Sequence, residues 1–112
     1  MKINSSSEGN TLIVNLFGDI DHHNTEIIKR YIYDNMAHSI KNLVIDLSGV
    51  EFMDSSGIGM ILGRYKEMSE KMGTVSLVGI RGNMERIYTL SGLYKIIKNY
   101  STVKDAVNSL KL

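Results

Sequence analysis

Hydrophobic residues recur along this chain at two different spacings, and the switches between them divide it into strands and helices. Residues 11–17 (TLIVNLF) are dense in apolar and β-branched side chains, which predicts a strand. Glu8-Gly9-Asn10 before it is turn chemistry, so residues 2–6 are expected as its hairpin partner. Gly18 ends the strand. Beyond Asp19-Ile20-Asp21-His22-His23-Asn24, the residues Ile27, Ile28, Tyr31, Ile32 and Met36 share one helical face, with Asp21 or Asn24 as the N-cap. Residues 43–47 (LVIDL) are a short apolar run of the buried-strand type. Residues 48–56 lead into a helix whose stripe is Ile58, Ile61, Leu62, Tyr65, Met68 and Met72. Gly73 is placed as its C-terminal stop. Residues 74–78 (TVSLV) form another strand, and a short helix over 83–90 turns Met84, Ile87 and Tyr88 inward. Residues 93–97 (LYKII) are expected as an edge strand. A last helix starts near Ser101, with Val103, Ala106, Val107 and Leu110 as its apolar face.

The order β-β-α-β-α-β-α-β-α predicts an α/β fold. Its mixed sheet is mostly parallel with an antiparallel edge hairpin, and amphipathic helices pack mainly on one face. A length of 112 residues suits one domain over 1–112. Hydrophobic residues make up 43% and charged residues 22%, which predicts a single packed core. Net charge is +1 with Lys and Arg scattered, so the basic stripe of a nucleic-acid binder is missing. With no Cys, disulfides, thiolate metal sites and a cysteine nucleophile are excluded. No apolar run approaches the ~20 residues of a membrane span, and the N-terminus lacks a signal-peptide core. The expectation is a cytoplasmic protein without a cofactor.

Chemistry concentrates in Phe52–Gly63, FMDSSGIGMILG. Asp54, Ser55 and Ser56 all favour helix N-caps. Gly57 and Gly59 fall in or near the first turn, where each glycine costs ~1 kcal/mol against Ala, a cost tolerable where another backbone must approach. A serine here faces the positive end of a helix dipole, which suits a bound or attached phosphate. From the residues alone, a plain cap and an anion or phosphorylation role stand equally open.

Other readings fit less well. Gly57, Gly59 and Gly63 give G-x-G-x-x-x-G, not the dinucleotide G-x-G-x-x-G, and no Walker-type loop is present. A hydrolase elbow G-x-S-x-G is absent, and nothing marks a triad around His22, His23 or His38. A nucleotide-binding or hydrolytic small α/β protein using Asp54-Ser55-Ser56 is therefore the alternative. Adjacent His22 and His23 lack metal-ligand spacing. Because binding sites in α/β sheets lie beyond the carboxyl ends of strands, loops 18–24 and 48–56 are expected to converge, with Asp21 and His22 near Ser55. Met53 and Met60 flank the serine loop as candidate partner surface. The charges of the following helix read as a solvated face, with Arg64 and Lys66 as rim contacts.

Four segments carry a resemblance: Gly18-Asp-Ile-Asp21-His22-His23, Leu43–Leu47, Phe52–Gly59 with Ile61–Lys66, and Ser91–Ile97. The chain resembles the STAS-domain anti-sigma factor antagonists, closest to the anti-sigma F factor antagonists of endospore-forming bacteria. That resemblance implies a phosphorylation-controlled anti-anti-sigma factor and not an enzyme. It implies that Ser55 is the phosphoacceptor and that Asp21 lies near a kinase interface. The implied partners are an anti-sigma factor with serine kinase activity and a PP2C-type phosphatase, with no nucleic acid and no membrane. The expected contact surface is Asp21, His22, Asp54, Ser56, Gly57, Ile58, Gly59, Met60 and Arg64.

Overall fold

The computed structural model describes residues 1–111. The elements in chain order are β1 (Lys2–Glu8), β2 (Thr11–Phe17), α1 (His22–Asn35), β3 (Asn42–Gly49), α2 (Ser55–Glu70), β4 (Thr74–Val78), α3 (Asn83–Leu90), a 3₁₀ turn (Leu93–Lys95), β5 (Asn99–Tyr100) and α4 (Val103–Asn108). The five strands lie side by side in sequence order. β1 pairs antiparallel with β2, from Lys2↔Phe17 to Glu8↔Thr11. The β2–β3, β3–β4 and β4–β5 ladders are parallel. This is the mixed sheet that the alternation of periods predicts.

Strand alternation sends Leu12, Val14, Leu16, Leu43, Ile45, Leu47, Val75 and Leu77 to one face, where they meet Ile28 and Ile32 of α1, Ile61 and Met68 of α2, and Met84 of α3. The opposite face carries a small second cluster in which Ile13, Val44 and Val78 are covered by Ala106 and Val107 of α4. Three helices therefore share the main core and the shortest covers the back.

Three sequence expectations change. Residues 93–97 are not a strand. Only Leu93 and Ile97 are buried, at a helical i, i+4 spacing, and Ile97 N–H donates to the Leu93 carbonyl at 2.8 Å. The Tyr88 hydroxyl donates to the Ile97 carbonyl at 2.5 Å, and burial raises the pKa of that phenol. The edge strand forms two residues later, at Asn99–Tyr100. Met72 is 91% exposed instead of continuing the α2 stripe. It sits at φ +64° just past the helix, where its N–H donates to Ser69 O and that of Gly73 to Met68 O. These two bonds close a Schellman end with Met in the left-handed position. Gly73 has a steric reason as well, since a Cβ there would collide with the Lys41 carbonyl oxygen. Ile27 is also exposed; the buried face of α1 is Thr25, Ile28 and Ile32.

Candidate functional site

β2 and β3 are parallel neighbours, so the loops leaving their carboxyl ends start side by side. They then continue as a narrow ladder. Gly18 N–H donates to Gly49 O (3.1 Å), Ile20 N–H to Phe52 O (2.9 Å), and Asp54 N–H to Ile20 O (3.0 Å). Ile20 and Met53 pair in parallel, and both side chains are buried in the main core. The expected convergence of loops 18–24 and 48–56 is thus built from backbone hydrogen bonds. It delivers two aspartates, Asp21 and Asp54, to the N-cap positions of adjacent helices.

The caps work differently. The Asp21 carboxylate accepts from Asn24 N–H at 2.8 Å. The Asp54 carboxylate accepts from Ser56 N–H (2.9 Å), Gly57 N–H (3.4 Å) and the Ser56 hydroxyl (2.5 Å). That hydroxyl bond, joined by the backbone N–H groups of Ser56, Gly57 and His22, holds the Asp54 carboxyl below its ordinary pKa. Ser56 is held from the other side too, with its Oγ 3.0 Å from Oγ1 of Thr25. Thr25 Oγ1 itself donates to the Asp21 carbonyl at 2.7 Å. One network therefore runs Asp21–Thr25–Ser56–Asp54 and locks the start of α1 to the start of α2. Thr25 escaped sequence reasoning; its signal was a hydroxyl one turn after a capping aspartate.

Ser55 stands outside this network. It is the first residue of α2, it is exposed, and among the described residues its hydroxyl forms no hydrogen bond. The ambiguity among Asp54, Ser55 and Ser56 resolves physically. Asp54 is the cap, Ser56 is tied to the cap, and Ser55 is the free hydroxyl at the positive end of a 16-residue helix.

The remaining expected contact residues divide. Asp21, His22 and Gly59 are exposed, Ile58 is half-buried, and the Arg64 side chain is 17% exposed. Met60 and Met53 are buried at 4% and 3% exposure, so neither is a surface contact; both fill the core beneath the loop. Gly57 is buried as well. A Cβ there would overlap Met53 Cγ and fall 2.8 Å from Ile20 Cγ2. Its glycine is required by packing inside the protein, not by approach of a partner. Phe52, 47% exposed on the same loop, is an aromatic surface that the pattern did not single out. Gly57, Gly59 and Gly63 all lie within α2, so they do not form a phosphate-cradling loop. Among the described residues no group of three or more His, Cys, Asp or Glu is arranged to hold a metal ion. No helix there is long and apolar enough to cross a membrane.

A mixed sheet ending in paired aspartate-capped helices, with a free serine at the second cap, defines a class that comparison identifies. Residues 2–106 match the STAS domain, and the chain belongs to that family. Among its relatives is an anti-sigma F factor antagonist of Paenibacillus polymyxa, 31% identical over 113 aligned positions that cover all of this chain and 97% of the relative. The fold matches an anti-sigma factor antagonist from Mycobacterium paratuberculosis with TM-score 0.87 and 27% identity, over 99% of this chain and 94% of that one. It also matches the Bacillus cell fate determinant SpoIIAA in its phosphorylated form, with TM-score 0.76 and 26% identity, over 98% of this chain and all of that one.

Proposed function

We propose that this protein is an anti-anti-sigma factor switched by phosphorylation of Ser55. In the unmodified state it docks an anti-sigma factor through the rim formed by the exposed Asp21, His22, Ser55 and Gly59 with the half-buried Ile58, and so releases the sigma factor. Ser56 and Asp54 set the rim's shape from behind. The docked partner is also a serine kinase that transfers the γ-phosphoryl group of ATP to the Ser55 hydroxyl. A PP2C-type phosphatase reverses the step. The sporulation branch of the family, acting in the cytoplasm, is the setting this reading implies. Ser55 is a substrate in this scheme and not a catalyst.

One observation carries the proposal: of the two adjacent serines, only Ser55 has an exposed hydroxyl free of hydrogen bonds among the described residues. The chemistry follows from its place. A phosphate there brings about −1.5 to −2 charge and three acceptor oxygens beside the Asp54 carboxylate. The helix dipole of α2 stabilises it in the free protein. In a docked complex the same group would be stripped of water in a contact shaped for a hydroxyl, at a cost of several kcal/mol unless a cation meets it. Since about 1.4 kcal/mol is tenfold in affinity, a fraction of that cost ends binding. The fold itself need not change.

The test uses purified protein, an anti-sigma F factor with kinase activity, and Mg-ATP. Mass spectrometry should locate a single phosphate on Ser55; phosphate on Ser56 alone would sink the assignment. Ser55→Ala should still bind the anti-sigma factor, and Ser55→Asp should bind at least about tenfold more weakly. Equal affinities for the two variants would argue against charge and bulk as the switch.

A further inference from the structure

A cleft of about 480 Å³ opens between α1 and α2, bordered by Glu26, Lys29, Arg30 and Tyr33 on one helix and by Arg64 and Glu67 on the other. Arg64 is the unusual member. Its side chain is only 17% exposed, and its Nε is buried from solvent with no hydrogen-bond partner among the described residues. Its ion-pair partner among those residues is Glu67, reached by Nη2 at 3.5 Å, longer than a good charge-assisted bond. A buried donor on a charged group without an acceptor costs free energy and calls for a reason. The other cations of the cleft are held on their own helix, Lys29 by Glu26 at 3.4 Å and Arg30 by Asp34 at 3.3 Å.

We infer that this cleft receives a carboxylate side chain of the docked partner, with Arg64 as the group that recognises it. The inference rests on the proposed function and extends its surface. Planar carboxylates match the Nε and Nη edge of a guanidinium with two parallel hydrogen bonds; with the Arg64 side chain turned outward into the cleft on docking, such a pair satisfies the orphaned Nε and replaces the long contact to Glu67. Lys29 and Arg30 already have carboxylate partners on α1, so Arg64, with its unpartnered Nε, is the cation left for an acidic visitor. Arg64 lies nine residues along α2 from Ser55, about 13.5 Å at helical rise and half a turn round the helix, so one partner meets both only by reaching over the end of α2 onto its α1 side, a span that a face of about 800 Å² per partner covers. The rim near Ser55 carries the exposed acids Asp19 and Asp21, whereas the cleft carries the cations. A partner with a base facing the first and an acid facing the second is fixed in one orientation. Tyr33, 79% exposed at the mouth, adds an aromatic wall to the entry.

The test measures binding of the anti-sigma F factor of Paenibacillus polymyxa to wild-type protein and to Arg64→Ala, Arg64→Lys, Ser55→Ala and Ser55→Asp. Arg64→Ala should lose about tenfold or more in affinity, and Arg64→Lys should recover only part of it. Both losses should shrink as salt is raised. The Nε–Hε resonance of Arg64 in ¹H–¹⁵N spectra should shift on complex formation, a readout that needs no variant. Thermal unfolding of each variant separates lost binding from lost fold. If Ser55→Asp abolishes binding while Arg64→Ala binds like wild type and the resonance stays still, the cleft has no such role and the switch reading survives. If wild-type protein does not bind the anti-sigma factor at all, both readings fall together.

Discussion

The two sides of α2 use the same residue for opposite reasons. On the inner side, Gly57 is buried and has no room for a methyl group, because Met53 and Ile20 already fill the space where a Cβ would go. On the outer side, a Cβ added at Gly59 or Gly63 would meet nothing within 4 Å. Packing among the described residues does not require glycine at those two outer positions, although each costs ~1 kcal/mol of helix stability relative to Ala. The inner side of α2 is therefore shaped by its own core, and the outer side is left smooth beside an exposed Ser55. A glycine-rich helix start does not by itself mark a binding loop; which side each glycine faces decides what it does.

Substitutions can break or sharpen this contrast. Gly57→Ala should be the most damaging. Overpacking against Met53 and Ile20 outweighs the gain in helix propensity, and a net loss of about 2 kcal/mol is expected, read from the urea midpoint. A stability equal to wild type would show that the loop beneath α2 yields. Ser56→Ala removes the hydroxyl donor to Asp54 and the contact with Thr25, at a cost of about 1–1.5 kcal/mol. It should also change acid stability in a definite direction. The folded pKa of Asp54 is depressed below 3.8, so its contribution is complete above the unfolded value and is lost as pH falls through the folded one. Without the Ser56 hydroxyl the depression is smaller. The acid limb of a stability–pH curve should therefore begin at higher pH in Ser56→Ala than in wild type. Gly59→Ala should have the smallest effect and the opposite sign, a gain of about 1 kcal/mol in thermal or urea unfolding. If the outer side is a docking face, the same variant should bind the anti-sigma factor less well while being more stable. Unchanged affinity would remove Gly59 from the interface.

Much of the architecture was legible in the residue pattern because local rules and the global fold agree. The apolar runs at 11–17, 43–47 and 74–78 are strands whose inner faces meet the main core, and the Ile28–Ile32 and Ile61–Met68 stripes belong to helices that cover it. The misreadings came where local pattern and packing part. LYKII has strand-like composition, yet only Leu93 and Ile97 are buried, and the chain turns through a 3₁₀ segment at Leu93–Lys95 instead of extending. Met60 and Met53 sit beside the serine loop in sequence, but strand and helix geometry turn both into the core.

The amino-acid order by itself determined the alternation of strands and helices, the motif Asp54-Ser55-Ser56 at a helix start, and the resemblance that distinguishes one serine from the other. These depend on neighbours in the chain, whose spacing fixes local hydrogen bonding and amphipathic faces. Only the tertiary structure decided which hydroxyl is free. Ser55 and Ser56 are chemically alike and adjacent. Ser56 is locked because α1 brings Thr25 to within 3.0 Å of it across 31 residues of chain, while Asp54 holds it from below. The same long-range packing left Arg64 largely buried with an unpartnered nitrogen, a feature that no local spacing encodes.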